Sequence, residues 1–137
     1  MKGVFLDTAP LIYLLEGSDA LRKKVHAQLK KWIEREVPLY SSVLTLTELL
    51  VPAKRDGNSG LALQYKRSLQ EILSNPLYAI DENQAERAAE IRAAHGIATP
   101  DALQLAAAQA LGCDLFYTND NRLKKFKEIE IILVGGV

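Results

Sequence analysis

Along this chain, short runs rich in β-branched and aromatic residues take turns with longer helical stretches. "GVFLD" precedes a helix that extends through Trp32, and "VPLYSS" precedes a helix from Val43. After the polar break "KRDGNSG" the pattern predicts a helix from Leu61 to Leu73, then a third strand in "PLYAID". "ENQAERAAEIRAAHG" and "TPDALQLAAAQALG" are helices closed by Gly96 and Gly112, while "DLFYT" and "IEIILV" supply a fourth and a fifth strand. Such alternation predicts an α/β sandwich with a parallel sheet. No repeat or linker interrupts it, so residues 1–137 are expected to form one domain.

A chain of 137 residues buries roughly 68–70% of the surface it exposes when unfolded, enough to dispense with covalent staples. The single Cys113 excludes an internal disulfide, and no clustered Cys and His suggest structural zinc. Asp7 interrupts the apolar opening and no small-residue cleavage site follows, so the N-terminal stretch is read as folded structure rather than a secretory signal. No run approaches a membrane span, and a cytoplasmic location is expected. The 17 basic and 17 acidic side chains cancel. Any contact with a polyanion must therefore come from local patches.

In a parallel α/β unit, the C-terminal ends of the strands and the N-terminal ends of the crossover helices share one rim, where ligands bind. Four acids map to it. Asp7 follows the strand "VFL", Asp120 follows "LFYT", and Asp101 lies in the first helical turn after an expected N-cap Thr99 and N1 Pro100. Glu48 sits about one and a half turns into its helix, stacked by helical spacing between Leu44 and Val51, where burial of an unpaired carboxylate would be costly. Asp114 precedes its strand and falls on the opposite rim, and Asp81 is expected to N-cap the helix after the third strand.

Taken singly, each acid has a local structural explanation in caps, helix dipoles and turns. Taken together, they do not. Two carboxylates about 6 Å apart repel by roughly 2.8 kcal/mol at an effective dielectric near 20, and six such pairs cost on the order of 15 kcal/mol. That exceeds what a domain of about 5–15 kcal/mol stability tolerates. Such a cluster must either hold protons through raised pKa values or bind a cation, and an all-oxygen set selects a hard ion, Mg²⁺ or Mn²⁺. The apolar helix from Ala102 to Leu111, uncharged except at its tip, acts as a spacer that returns the chain to the rim.

"FLDTAPLIYLLEG", "SSVLTLTELL" and "TPDALQLAAAQALGCDLFYTND" resemble the motifs of PIN-domain ribonucleases, specifically the VapC-like toxins of prokaryotic toxin-antitoxin pairs. The resemblance spans the whole chain. It implies a three-layer sandwich with a five-stranded parallel sheet in the order 3-2-1-4-5, and a Mg²⁺- or Mn²⁺-dependent endoribonuclease. The family's metal and catalytic positions carry over onto Asp7, Glu48, Asp101 and Asp120, with Thr118 and Ser42 as supporting hydrogen-bonding residues. It further implies an RNA substrate, a homodimer and a small antitoxin that covers the acidic groove. Arg122, Lys124 and Lys125, beside Asp120 in sequence, are candidate phosphate contacts.

Other readings stay open at this stage. The chain could be a catalytically silent module of the same fold, or a nuclease outside any toxin-antitoxin pair. A haloacid-dehalogenase-like phosphatase would need an Asp where Ala9 stands, and a response-regulator receiver would need a Lys after the last strand, where the chain reads "ILVGGV". His26, His95, Cys113, Tyr65, Tyr78 and Trp32 are read as structural.

Overall fold

The computed structural model describes residues 1–136. Four strands, β1 (Val4–Leu6), β2 (Leu39–Tyr40), β3 (Leu115–Thr118) and β4 (Glu130–Leu133), form a parallel sheet in the order β2-β1-β3-β4. Six helices accompany them: α1 (Thr8–Glu16), α2 (Asp19–Glu34), α3 (Val43–Arg55), α4 (Ser59–Ile72), α5 (Glu82–His95) and α6 (Thr99–Ala110).

The central strands are buried on both faces, as expected for a parallel sheet covered by helices. Val4, Leu6, Leu39 and Tyr117 pack on one side with Trp32, Leu49 and Leu69 from α2, α3 and α4. Phe5 and Phe116 face the other side, toward Ile91 of α5 and the alanine-rich face of α6. Their rings stack at 5.3 Å, while Tyr117 meets Trp32 edge to face at 5.0 Å. Small side chains on α6 let its backbone lie close to α5, and residues 104–108 are all buried.

Three expectations need correction. The five-stranded sheet is reduced to four, because "PLYAID" contributes only a single parallel bridge from Tyr78 to Ser42. The order is kept, since that bridge lies beyond β2 where the third strand was placed. Its partner simply runs out: Ser42 N-caps α3, and the outward-facing N–H and C=O of Leu39 are already held by Ser74 at 2.8 and 3.0 Å. Second, the helix expected to run through Trp32 breaks at Gly17. The Gly17 N–H closes onto the Tyr13 carbonyl at 3.0 Å, and a Cβ at Gly17 would lie 2.5 Å from that oxygen. Third, the N-cap of α6 is Ala98, one residue earlier than expected, with Thr99 and Pro100 in the first turn.

Asp81 does cap α5, in a full capping box in which its carboxylate accepts the Asn83 N–H at 2.9 Å and Gln84 accepts the Asp81 N–H at 3.0 Å. Asp81→Ala should lower stability by about 1 kcal/mol in urea denaturation. An unchanged midpoint would mean that the box contributes nothing.

Candidate active site

Strand register builds the first half of the site. Val4, Phe5 and Leu6 pair with Leu115, Phe116 and Tyr117, and the ladder continues as the Asp7 N–H donates to the Tyr117 carbonyl at 2.9 Å. Asp7 and Thr118 therefore emerge side by side at the rim. The Thr118 hydroxyl donates to Asp7 Oδ2 at 2.8 Å, and the Thr8 N–H donates to Oδ1 at 2.9 Å as Asp7 caps α1. The Asp120 N–H returns to Thr118 Oγ1 at 3.2 Å, so one hydroxyl links two of the acids.

The helices bring the other half. Glu48 reaches the rim from α3 and accepts a hydrogen bond from the Thr8 hydroxyl at 2.7 Å. Asp101, half-buried in the first turn of α6, accepts no hydrogen bond among the described residues. Asp120 starts the 3₁₀ turn Asn121–Lys125, and Arg122 folds back to pair with it, Nη2 to Oδ2 at 2.7 Å and Nε to Oδ1 at 2.9 Å. All four carboxylates line one open cavity of about 420 Å³, together with Thr8, Ile12, Tyr13, Thr118 and Asn119.

Burial is the main force that pushes the Asp7 carboxyl up to about 6; the negative Asp101 and Glu48 add to it, against the hydrogen bonds from Thr118 and Thr8. Asp101 is raised too, by burial first and then by Asp120. Asp120 moves the other way, held below the usual carboxylate range by its hydrogen bond from Arg122. The repulsion is thus already part-relieved, by a shift toward protonation at Asp7 and by a guanidinium at Asp120.

Among the described residues, no three His, Cys, Asp or Glu side chains are gathered tightly enough to form a finished cation cage. The donor set nevertheless suits Mg²⁺ or Mn²⁺. Mg²⁺ keeps several of its waters and is held by one or two carboxylates rather than by an all-protein shell. Asp7, fixed by two hydrogen bonds, and Asp101, with its oxygens unengaged, can serve in that way.

The structure places the other named residues unequally. Glu48 is exposed, and Leu44 and Val51 are at most half-buried, so the argument from its burial among apolar neighbours fails: its helix turns that face toward the rim. Ser42 hydrogen-bonds to none of the four acids among the described residues; its hydroxyl donates to Gln104 Oε1 and accepts the Leu44 N–H at 3.2 Å. Lys125 acts on Asp120 through its charge, whereas Lys124 lines a separate groove with Asp114 and Glu130. Thr8, Thr45 and Gln104 were not singled out from the sequence. Their signals were present: Thr8 follows Asp7, Thr45 precedes Glu48 by three, and Gln104 follows Asp101 by three on an apolar helix.

A fold of this order, with acids from four separate segments on one rim, defines an α/β domain with an acidic site at the strand ends. The chain belongs to the PIN domain family, whose model matches residues 4–129. A search of curated proteins gives no match. Among solved structures, a toxin-antitoxin complex from Klebsiella pneumoniae is similar at a TM-score of 0.72 and 24% identity, covering 98% of this chain and 100% of that one. FitAcB from Neisseria gonorrhoeae is similar at 0.79 and 21%, covering 98% and 99%. VapC20 of Mycobacterium tuberculosis, a sarcin-ricin loop cleaving toxin, is similar at 0.69 and 18%, covering 93% and 98%. Likeness at these identities speaks to the fold. No helix among the described residues is long and apolar enough to cross a membrane.

Proposed function

We propose that this chain is a Mg²⁺- or Mn²⁺-dependent endoribonuclease of the VapC type, acting in the cytoplasm as a homodimer and restrained by a small antitoxin. The observation that carries the reading is the convergence of Asp7, Glu48, Asp101 and Asp120 on one cavity from four separate segments. Family membership and the toxin-antitoxin complexes among its structural neighbours support it.

In this reading Asp7 and Asp101 are the principal metal ligands, and Glu48 and Asp120 complete the site directly or through water. A bound ion supplies Lewis acidity toward water and a phosphoryl oxygen. The chain's own part is orientation. Thr118 and the Thr8 N–H hold the Asp7 carboxylate in one rotamer, and the Thr8 hydroxyl aims Glu48 into the cavity. Arg122, exposed and two residues from Asp120, can exchange that carboxylate for an RNA phosphate, where its planar fork suits two oxygens. Cys113 is unsuited to nucleophilic attack, because burial pushes its thiol up to about 12 and it lines the groove at the opposite rim.

The test is incubation of the purified protein with an end-labelled single-stranded RNA. Internal cleavage with Mn²⁺ or Mg²⁺, and none after chelation, is the expected result. The open spacing of the acids favours a second reading, a PIN-fold module that binds without cutting. Binding of the same RNA with no fragments in either ion would select that reading.

A further inference from the structure

The rim carries more polar side chains than four ligands require. Behind the acids, a hydrogen-bonded chain crosses from α6 to α3, which in turn contacts α1. The Ser42 hydroxyl donates to Gln104 Oε1, and Gln104 Nε2 donates to Thr45 Oγ1 at 2.7 Å. The Ser41 hydroxyl donates to the Leu6 carbonyl at 2.8 Å and stands 2.8 Å from Thr45 Oγ1. Thr45 Oγ1 lies 3.4 Å from Thr8 Oγ1, and the Thr8 hydroxyl donates to Glu48 Oε1 at 2.7 Å.

All of these residues except Glu48 are buried, and Gln104 and Thr45 are 1% and 0% exposed. A Leu at 104 would match the apolar face of α6 and avoid desolvating an amide, so a buried glutamine there needs a reason. The order of donors supplies one. The Leu6 carbonyl can only accept, which commits the Ser41 proton to it; the Thr45 proton then goes to Ser41 Oγ, and Thr45 accepts from Gln104. Thr45 therefore has no proton for Thr8 and fixes it only by contact at 3.4 Å, while the Thr8 proton goes to the Glu48 carboxylate. The chain also ties the helix that carries Asp101 to the helix that carries Glu48, each link lying three residues from its acid.

We infer that Gln104 and Thr45 are positioning residues that act through Thr8 to hold Glu48 in the orientation required to complete the metal site. This rests on the metal-dependent reading above and extends it to residues that touch neither ion nor RNA. Outer partners of this kind typically change metal affinity or activity about 10–100-fold when removed.

The experiment compares Thr45→Val, Thr45→Ser and Gln104→Met, each checked by circular dichroism, with Mn²⁺ affinity measured by titration and cleavage measured in parallel. Thr45→Val and Gln104→Met should weaken Mn²⁺ binding about 10-fold or more, while Thr45→Ser, which keeps the hydroxyl, stays near wild type. In a Glu48→Gln background, adding Gln104→Met should change neither quantity, because the path ends at that carboxylate. A folded Gln104→Met protein with wild-type Mn²⁺ affinity, or an effect undiminished by Glu48→Gln, overturns the inference even if Thr45→Val fails to fold. A wild-type protein that binds Mn²⁺ but cuts no RNA overturns the nuclease reading alone; one that binds no Mn²⁺ overturns both.

Discussion

An Asp7→Asn protein is expected to lose more than ~100-fold of its RNA cleavage, beyond what loss of an outer partner costs, and yet to melt at a higher temperature than wild type in metal-free buffer at pH 7.5. Both effects have one origin. The Asp7 carboxyl is 8% exposed and its folded pKa is pushed to about 6, mainly by burial, from an ordinary 3.8. Between those values the folded state holds a proton that the unfolded state has released. Stability therefore falls as pH rises through that window, by about 3 kcal/mol at its upper end. Asn does not ionise and escapes this loss. It can still accept the Thr8 N–H, and its amide can donate to Thr118 once that hydroxyl rotates.

Asp101, also raised, adds a contribution of the same sign. Asp120 is lowered, so its contribution is lost only as pH falls below the ordinary carboxylate range. Melting curves from pH 2 to 8 separate the two windows. If wild type and Asp7→Asn keep parallel profiles throughout, Asp7 is not the group that titrates.

Addition of Mn²⁺ should reverse the penalty. A ligand that binds only the folded state at 100 times its Kd stabilises by about 2.7 kcal/mol, on the order of 10 °C for a domain of this size. The ion also displaces the proton from Asp7, so the gain should grow as pH rises from 5 to 7.5. The same titration on Asp7→Asn should give little or no shift. A wild-type melting temperature indifferent to millimolar Mn²⁺ would contradict the metal site outright.

How much of this was legible beforehand depends on the kind of interaction involved. The layer order and the rim position of the four acids follow from alternation and chain direction, which are local patterns plus one topological rule. The demotion of "PLYAID" was not readable, because its strand character depends on how many residues β2 can offer, and β2 ends where Ser42 caps α3. The break at Gly17 was readable in "EGSD" as a stop followed by a start, but the helical patterns on either side masked it. Glu48 illustrates a different failure. Spacing gave its neighbours on the helix, whereas exposure depends on which face the sheet covers. The Gln104 network is a long-range arrangement across three helices, visible in sequence only as one polar residue in an apolar stretch.

The parallel sheet also decides where other molecules can be attached. Residues 1–3 enter β1 from the rim opposite the acids, where the Asp114 N–H donates to the Gly3 carbonyl at 2.9 Å. At the other end, the Val134 N–H donates to the Thr118 carbonyl at 3.0 Å, so the chain leaves β4 beside the residue that holds Asp7. A fluorophore attached at residue 2 stands at the rim away from the cavity, whereas one attached at residue 135, just beyond β4, stands at the rim that carries the acids. Labels on the first rim are therefore the ones suited to measuring the chemistry, and those on the second offer a short tether for delivering an inhibitory peptide to it.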